Sequence, residues 1–160
     1  MQDLDTLDTA ANDEGGVYFT PVNPGTLEPL NMRIKLRSSN CESVRAKSRA
    51  FVRKLQTSTE FRKNGAIDVE QAEAQATEKL VACTVGWEGV KYHDITVCTA
   101  ENARRLYTAP GLAWLRAQVL EFIEDQANFL PKAGPASTAT PNGDSASAAP
   151  STLKAIPAAA

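Results

Sequence analysis

The six residues from Met32 to Arg37 alternate apolar and basic side chains. Because successive side chains of a β-strand point to opposite faces, this order predicts a strand with one buried and one solvated face. A run of strand-forming residues at 17–22 precedes it, and a Pro-Gly step between the two is typical of a turn. The sequence therefore predicts an N-terminal β-hairpin, whose first strand carries Pro21 and lies at the sheet edge.

Downstream of the hairpin, apolar residues recur at helical spacing. One helix is predicted over about 41–57, and a second begins after Asp68, a good N-cap residue. Gly86 stands where a glycine commonly ends a helix, and 92–98 is compatible with a short strand.

Two further helices complete the pattern. Thr99 is predicted to cap a brief helix that runs through Tyr107, and a longer helix follows Pro110. The expected fold class is mainly α, of the α+β kind: an N-terminal β-hairpin followed by a compact domain of four helices.

The 160 residues suffice for one domain with flanking segments. Residues 1–16 carry acids without aromatic residues, which predicts a mobile acidic arm that can fold back loosely onto basic surface. Residues 17–130 form the single hairpin-plus-helical domain. Residues 131–160 are rich in Ala, Pro and Ser, which predicts a disordered tail.

Basic residues are concentrated in one part of the chain. Residues 33–63 hold ten Lys and Arg against two Glu, although the whole chain has a formal charge of -2. Arg45, Arg49 and Arg53 are spaced four apart and are predicted to line one side of the first long helix. Such a surface is compatible with nucleic-acid binding, but no helix-turn-helix or zinc motif accompanies it, so we treat that function as an alternative.

Residues for catalysis or metal binding are sparse. His93 is the sole histidine, and its spacing from Asp94, Cys83 and Cys98 matches no metal-ligand pattern. Glycine-rich phosphate loops are missing as well. We therefore predict a protein that is not an enzyme and holds no metal or cofactor. The three cysteines, an odd number, favour reduced thiols in a cytosol, and no leader or membrane-spanning run is evident.

Trp87 raises a separate question, because it lies between Gly86 and Gly89 just beyond the expected end of the second helix. A residue after a helix-terminating glycine commonly folds back onto the last turn. We expect Trp87 to be a core wedge between that helix and the C-terminal helix pair.

The segments LVACTVGWEGV and TAENARRLYTAPGLAWLRAQVLEFIEDQANFL resemble the C-terminal half of tail assembly chaperones of long-tailed (siphovirus-type) bacteriophages. The resemblance covers about residues 80–130 in motif and 30–130 in layout. The matching positions are Val85, Gly86, Trp87, Thr99, Glu101, Asn102, Leu106, Tyr107, Phe122, Asp125 and Phe129.

The resemblance implies a non-enzymatic chaperone that binds the tape measure protein and helps to recruit the major tail protein, which forms the tail tube. It further implies action in the host cell cytoplasm and absence from the mature virion. The lack of a long apolar run predicts that the protein has no membrane partner, and a homo-oligomer is an open alternative. A small nucleic-acid-binding accessory protein that uses the 33–63 surface is the alternative function. The residues expected to contact a partner are Arg45, Arg49, Arg53, Tyr107, Leu112 and Trp114.

Overall fold

The computed structural model describes residues 3–58 and 68–132. Within these ranges, an antiparallel sheet of three strands in the order β1-β2-β3 packs with five α-helices in a mixed α+β fold. The strands are β1 (Val17–Phe19), β2 (Arg33–Leu36) and β3 (Thr84–Glu88). The helices are α1 (Ala10–Gly15), α2 (Glu42–Gln56), α3 (Val69–Cys83), α4 (Ala100–Thr108) and α5 (Ala113–Glu124).

The predicted hairpin is present. β1 pairs antiparallel with β2, with Val17 opposite Leu36 and Phe19 opposite Ile34, and β1 lies at an edge of the sheet. The alternation along β2 has the expected effect, since Ile34 and Leu36 are fully buried while Arg33 is exposed.

The third strand was not predicted, and it corrects the role assigned to Gly86. α3 ends at Cys83, where the Thr84 hydroxyl donates a hydrogen bond to the Leu80 carbonyl oxygen, and the chain enters β3 directly. Gly86 lies inside β3 opposite Lys35 and does not terminate the helix. The expected strand at 92–98 is reduced to one bridge between Tyr92 and Ile95.

The helix starts follow the predicted capping chemistry. The Asp68 carboxylate accepts a hydrogen bond from the Val69 backbone N–H, and the Thr99 hydroxyl accepts one from the Asn102 backbone N–H at 3.1 Å. α2 to α5 correspond to the four predicted helices. The fold differs from the four-helix expectation because α1 adds a fifth helix.

The N-terminal segment, for which the composition predicts a mobile arm, makes several hydrogen bonds to the body. Thr9 and Asp13 are buried, and the Thr9 hydroxyl donates to Asp13 Oδ2 at 2.6 Å. The Asn12 side-chain amide donates to the Phe129 carbonyl oxygen at 2.9 Å. Glu14 accepts hydrogen bonds from the Ser43 backbone N–H and hydroxyl, at the first turn of α2. Polar side chains thus supply the anchoring that aromatic residues do not.

One hydrophobic core joins the sheet to the helices. Most of its buried members come from β2 and from α2 to α5, and include Leu36, Val44, Leu80, Leu106 and Val119. No helix of the described ranges is long and apolar enough to cross a bilayer. The predicted tail falls almost wholly on residues 133–160, and part of the basic segment on 59–67, which lie outside the described residues.

Candidate partner-binding groove

Three helices line a cavity on the surface of the described residues. It has a volume of about 430 Å³ and lies between α2, α3 and α4. A second cavity of about 400 Å³ lies beside it and reaches the start of α2. Val44, Ser48, Gln75 and Lys79 line both cavities, and the two cavities together are here named the α2–α3 groove.

The floor of the α2–α3 groove is apolar. Val44 and Ala82 are buried members of the core, and Val81 packs against that core while half-buried. Phe51 is also half-buried, but lies outside the core cluster of the described residues. Ala50 is exposed at the margin. The groove therefore offers apolar surface that the described core does not cover.

The walls of the groove are basic. In the part of the chain that the structure describes, they carry six cationic residues and one acid, Glu78, the cations being Arg45, Lys47, Arg49, Lys54, Lys79 and Arg104. Three of these cations are paired. Arg49 pairs with Glu42, Lys79 with Glu124 at 2.9 Å, and Arg104 with Glu78 at 2.5 Å.

The other three groove cations, Arg45, Lys47 and Lys54, have no ion-pair partner within residues 3–58 and 68–132. The predicted arginine row is thus only partly a groove feature: Arg45 and Arg49 line it, whereas Arg53 is exposed and lies outside its lining. The four-residue spacing of the arginines did not indicate that Lys47 and Lys54 also line the groove. The sequence signal for these two lysines is their spacing of seven residues with Phe51 between them, which places all three on one side of a helix.

Tyr107 cannot be an anchor for a partner, because it is only 1% exposed. Its hydroxyl lies 2.8 Å from the Thr84 hydroxyl, and burial raises the pKa of Tyr107 above its usual value. Leu112 and Trp114 are half-buried and pack against the core, and neither lines the groove. The structure therefore does not bring the three expected apolar anchors together on one accessible surface.

Trp87 is half-buried and packs against the core from β3, opposite Ile34. Its indole Nε1–H donates to the Thr96 carbonyl oxygen at 3.0 Å, so the ring holds the 90–98 loop against the sheet. The Asn102 side-chain amide donates to the Val97 carbonyl oxygen at 3.0 Å and holds the same loop from α4. Trp87 therefore fastens a loop, and the residue at the tight turn that follows is Gly89, with φ of +71°.

Phe122 and Phe129, the two phenylalanines of the segment that carries the resemblance, pack against other aromatic rings. Phe122 contacts Phe19 of β1, with ring centroids 4.8 Å apart, and Phe129, with centroids 5.6 Å apart. Phe129 is fully buried. This row of rings joins the edge strand to α5 and to the final 3-10 turn, Gln126–Phe129.

The surroundings of His93 offer little for catalysis. His93 is exposed, and its neighbour Asp94 is engaged by the Arg105 guanidinium at 2.8 and 3.0 Å. That contact lowers the pKa of Asp94 to about 2. Burial raises the pKa of the Cys83 thiol from 9.0 to about 12, so the sulfur is a neutral, poor nucleophile at pH 7. In the part of the chain that the structure describes, no three His, Cys, Asp or Glu residues are grouped to hold a metal ion.

Comparison of the chain with models of known protein families, with curated proteins and with solved structures found no match.

Proposed function

We propose that the protein is a non-enzymatic phage tail assembly chaperone, which binds the tape measure protein through the α2–α3 groove and helps to recruit major tail protein subunits. It acts in the host cell cytoplasm and leaves before the virion matures. The observation that carries the proposal is the open groove with an apolar floor formed by Val44, Phe51, Val81 and Ala82. The motif resemblance around Trp87 and Phe129 supports the choice of partner.

Helix-in-groove contact is the binding mode that suits such a surface. An amphipathic helix can insert its apolar face into a groove between helices, and the binding free energy comes mainly from buried apolar area. A tape measure protein is a long helical ruler, and its apolar faces would aggregate if they stayed uncovered during assembly. A small domain that covers them one segment at a time keeps the partner soluble without any chemical step.

Co-expression with a cognate tape measure protein tests the proposal. We expect the chaperone to raise the soluble yield of the partner, and Ala50→Trp to abolish most of that gain because the indole obstructs the groove margin. Ala46→Trp is the matched control, since Ala46 is exposed on the same helix but does not line the groove. Equal soluble yields with and without the folded chaperone would refute the proposed function.

Nucleic-acid binding remains the second candidate because Arg45, Lys47 and Lys54 are cations on one helix that have no ion-pair partner in the described ranges. Phosphate groups would neutralise them, and the affinity would fall steeply as the salt concentration rises. Fluorescence anisotropy with a single-stranded oligonucleotide at low salt tests this function. An anisotropy that stays at the value of the free oligonucleotide would remove it.

A further inference from the structure

We infer that the α2–α3 groove selects an acidic amphipathic helix, in which two carboxylates one heptad apart flank the inserted apolar residues. This inference rests on the proposed function and specifies the chemistry of the segment that is bound. Three features of the groove support it: the cations that lack an ion-pair partner in the described ranges, the positions of these cations along α2, and the apolar side chain between them.

The described lining of the groove carries a net positive charge. Among the described residues, Glu78 is the one acid of its lining, and it is already paired with Arg104. Lys47 and Lys54 are exposed and have no ion-pair partner in the described ranges. A partner that brings carboxylates meets complementary charge here, whereas one that brings cations meets repulsion.

The spacing of the two lysines corresponds to two turns of a helix. Lys47 and Lys54 are seven residues apart, which at a rise of about 1.5 Å per residue separates their Cα atoms by about 10.5 Å along α2. Phe51 lies one turn from each of them and on the same side of α2. A docked helix that inserts apolar residues beside Phe51 thus places carboxylates seven residues apart within reach of both ammonium groups.

The apolar floor favours a helix over a nucleic acid as the occupant. Phosphate groups need cations alone, whereas Phe51 and Val81 lie half-buried between the basic walls and gain by contact with apolar side chains. Only an amphipathic ligand brings apolar side chains to the floor and negative charges to the basic walls.

The test uses a synthetic three-heptad peptide with leucines in an apolar stripe and glutamates seven residues apart beside it. A second peptide carries glutamine in place of those glutamates. We expect the full-length protein to bind the glutamate peptide about tenfold more tightly, and the difference to shrink at high salt because exposed ion pairs are screened. Isothermal titration calorimetry measures both affinities.

A charge-reversal pair locates the effect. Lys47→Glu with Lys54→Glu should remove the preference for the glutamate peptide, and should favour a third peptide that carries lysine at the same two positions. Lys91→Glu with Lys132→Glu is the control of equal net charge, because both residues are exposed and lie outside the groove lining. This control should keep the wild-type preference.

The outcomes separate the two proposals. Equal affinity for the glutamate and glutamine peptides, or a preference unchanged by the Lys47 and Lys54 reversal, overturns the acidic-helix inference even if the tape measure protein is still solubilised. An oligonucleotide that displaces the glutamate peptide at equal concentration also overturns it, in favour of nucleic-acid binding. A preference lost only in the groove variant supports it, while failure of co-expression alone refutes the tape measure protein as the partner.

Discussion

The hydrogen bond between Tyr107 and Thr84 predicts an asymmetry between two conservative substitutions. The Thr84 hydroxyl has one proton, and it donates that proton to the Leu80 carbonyl oxygen at 2.9 Å. The Tyr107 hydroxyl, 2.8 Å from the Thr84 oxygen, must therefore be the donor of the bond between them. Because Tyr107 is 1% exposed, water cannot readily replace Thr84 as the acceptor.

The loss in free energy of unfolding depends on whether a substitution leaves a buried hydroxyl without a hydrogen-bond partner. Tyr107→Phe removes one hydrogen bond and leaves no buried donor without a partner, so it should lower the free energy of unfolding by about 0.5–1.5 kcal/mol. Thr84→Val keeps the shape of the side chain but leaves the Tyr107 hydroxyl buried and unpaired, which should cost about 1–3 kcal/mol. The double variant has no unpaired hydroxyl, and should therefore cost less than the sum of the single variants by about 1 kcal/mol.

Urea unfolding followed by circular dichroism measures all four proteins. The free energies are comparable only if the slopes against urea concentration agree. A smaller cost for Thr84→Val than for Tyr107→Phe would contradict the assignment of Tyr107 as the donor, and so would two costs that add within about 0.3–0.5 kcal/mol, the range expected of independent sites.

Four further perturbations test other parts of the structure. Gly89→Ala should destabilise by about 1–3 kcal/mol, because φ is +71° and a Cβ would lie 2.7 Å from a backbone oxygen, whereas Gly86→Ala in open space should not. Trp87→Phe should cost about 0.5–1.5 kcal/mol and speed amide hydrogen exchange in the 90–98 loop, since it removes the indole N–H donor. Glu14→Gln should lower the urea midpoint at pH 7, and the difference should shrink as pH falls below 4.5, because hydrogen bonds from Ser43 lower the pKa of Glu14 and their advantage is lost as the carboxyl becomes protonated. Stability should fall as pH rises from 9 towards 12, and Cys83 should contribute up to about 1.4 kcal/mol per pH unit to that fall, because its pKa is 9.0 when unfolded and about 12 when buried; Cys83→Ala should make the decline shallower.

Each of these results has a contrary outcome. Equal melting temperatures for the two glycine variants would show that the turn at Gly89 tolerates a side chain. Unchanged exchange in the loop would show that Trp87 does not hold it. A Glu14→Gln effect that does not shrink as pH falls would indicate lost packing, and equal alkaline slopes for the wild type and Cys83→Ala would show that the thiol is not the titrating group.

The sequence predicted those helices and strands that depend on residues close together in the chain. The alternation through Ile34 and Leu36 specified β2, and the side chains of Asp68 and Thr99 cap helices as their positions indicated. β3 was missed because Thr84–Glu88 is short, contains Gly86 and follows a helix without a break. What makes it a strand is its pairing with β2, more than forty residues earlier, which no local pattern contains.

The candidate site was only partly predictable for a similar reason. The row of Arg45, Arg49 and Arg53 follows from helical spacing, but which cations border apolar surface depends on how α3 and α4 pack against α2. Burial of Tyr107 is also a tertiary effect, since its position on α4 gave no sign of the contact with Thr84. The docked N-terminal segment depends on hydrogen bonds that span most of the chain, such as Asn12 to Phe129.

That last contact has a consequence for synthesis of the chain. Asn12 and Phe129 are separated by 117 positions, and Gln126 donates to Thr9 over the same interval. At translation rates of about 5–20 residues per second, Gln126 and Phe129 are synthesised roughly 6–23 s after Thr9 and Asn12, so these hydrogen bonds cannot form before then. A ribosome-tethered chain that stops short of Gln126 should therefore leave α1 open to protease, and release from the ribosome should be the moment when the body becomes resistant.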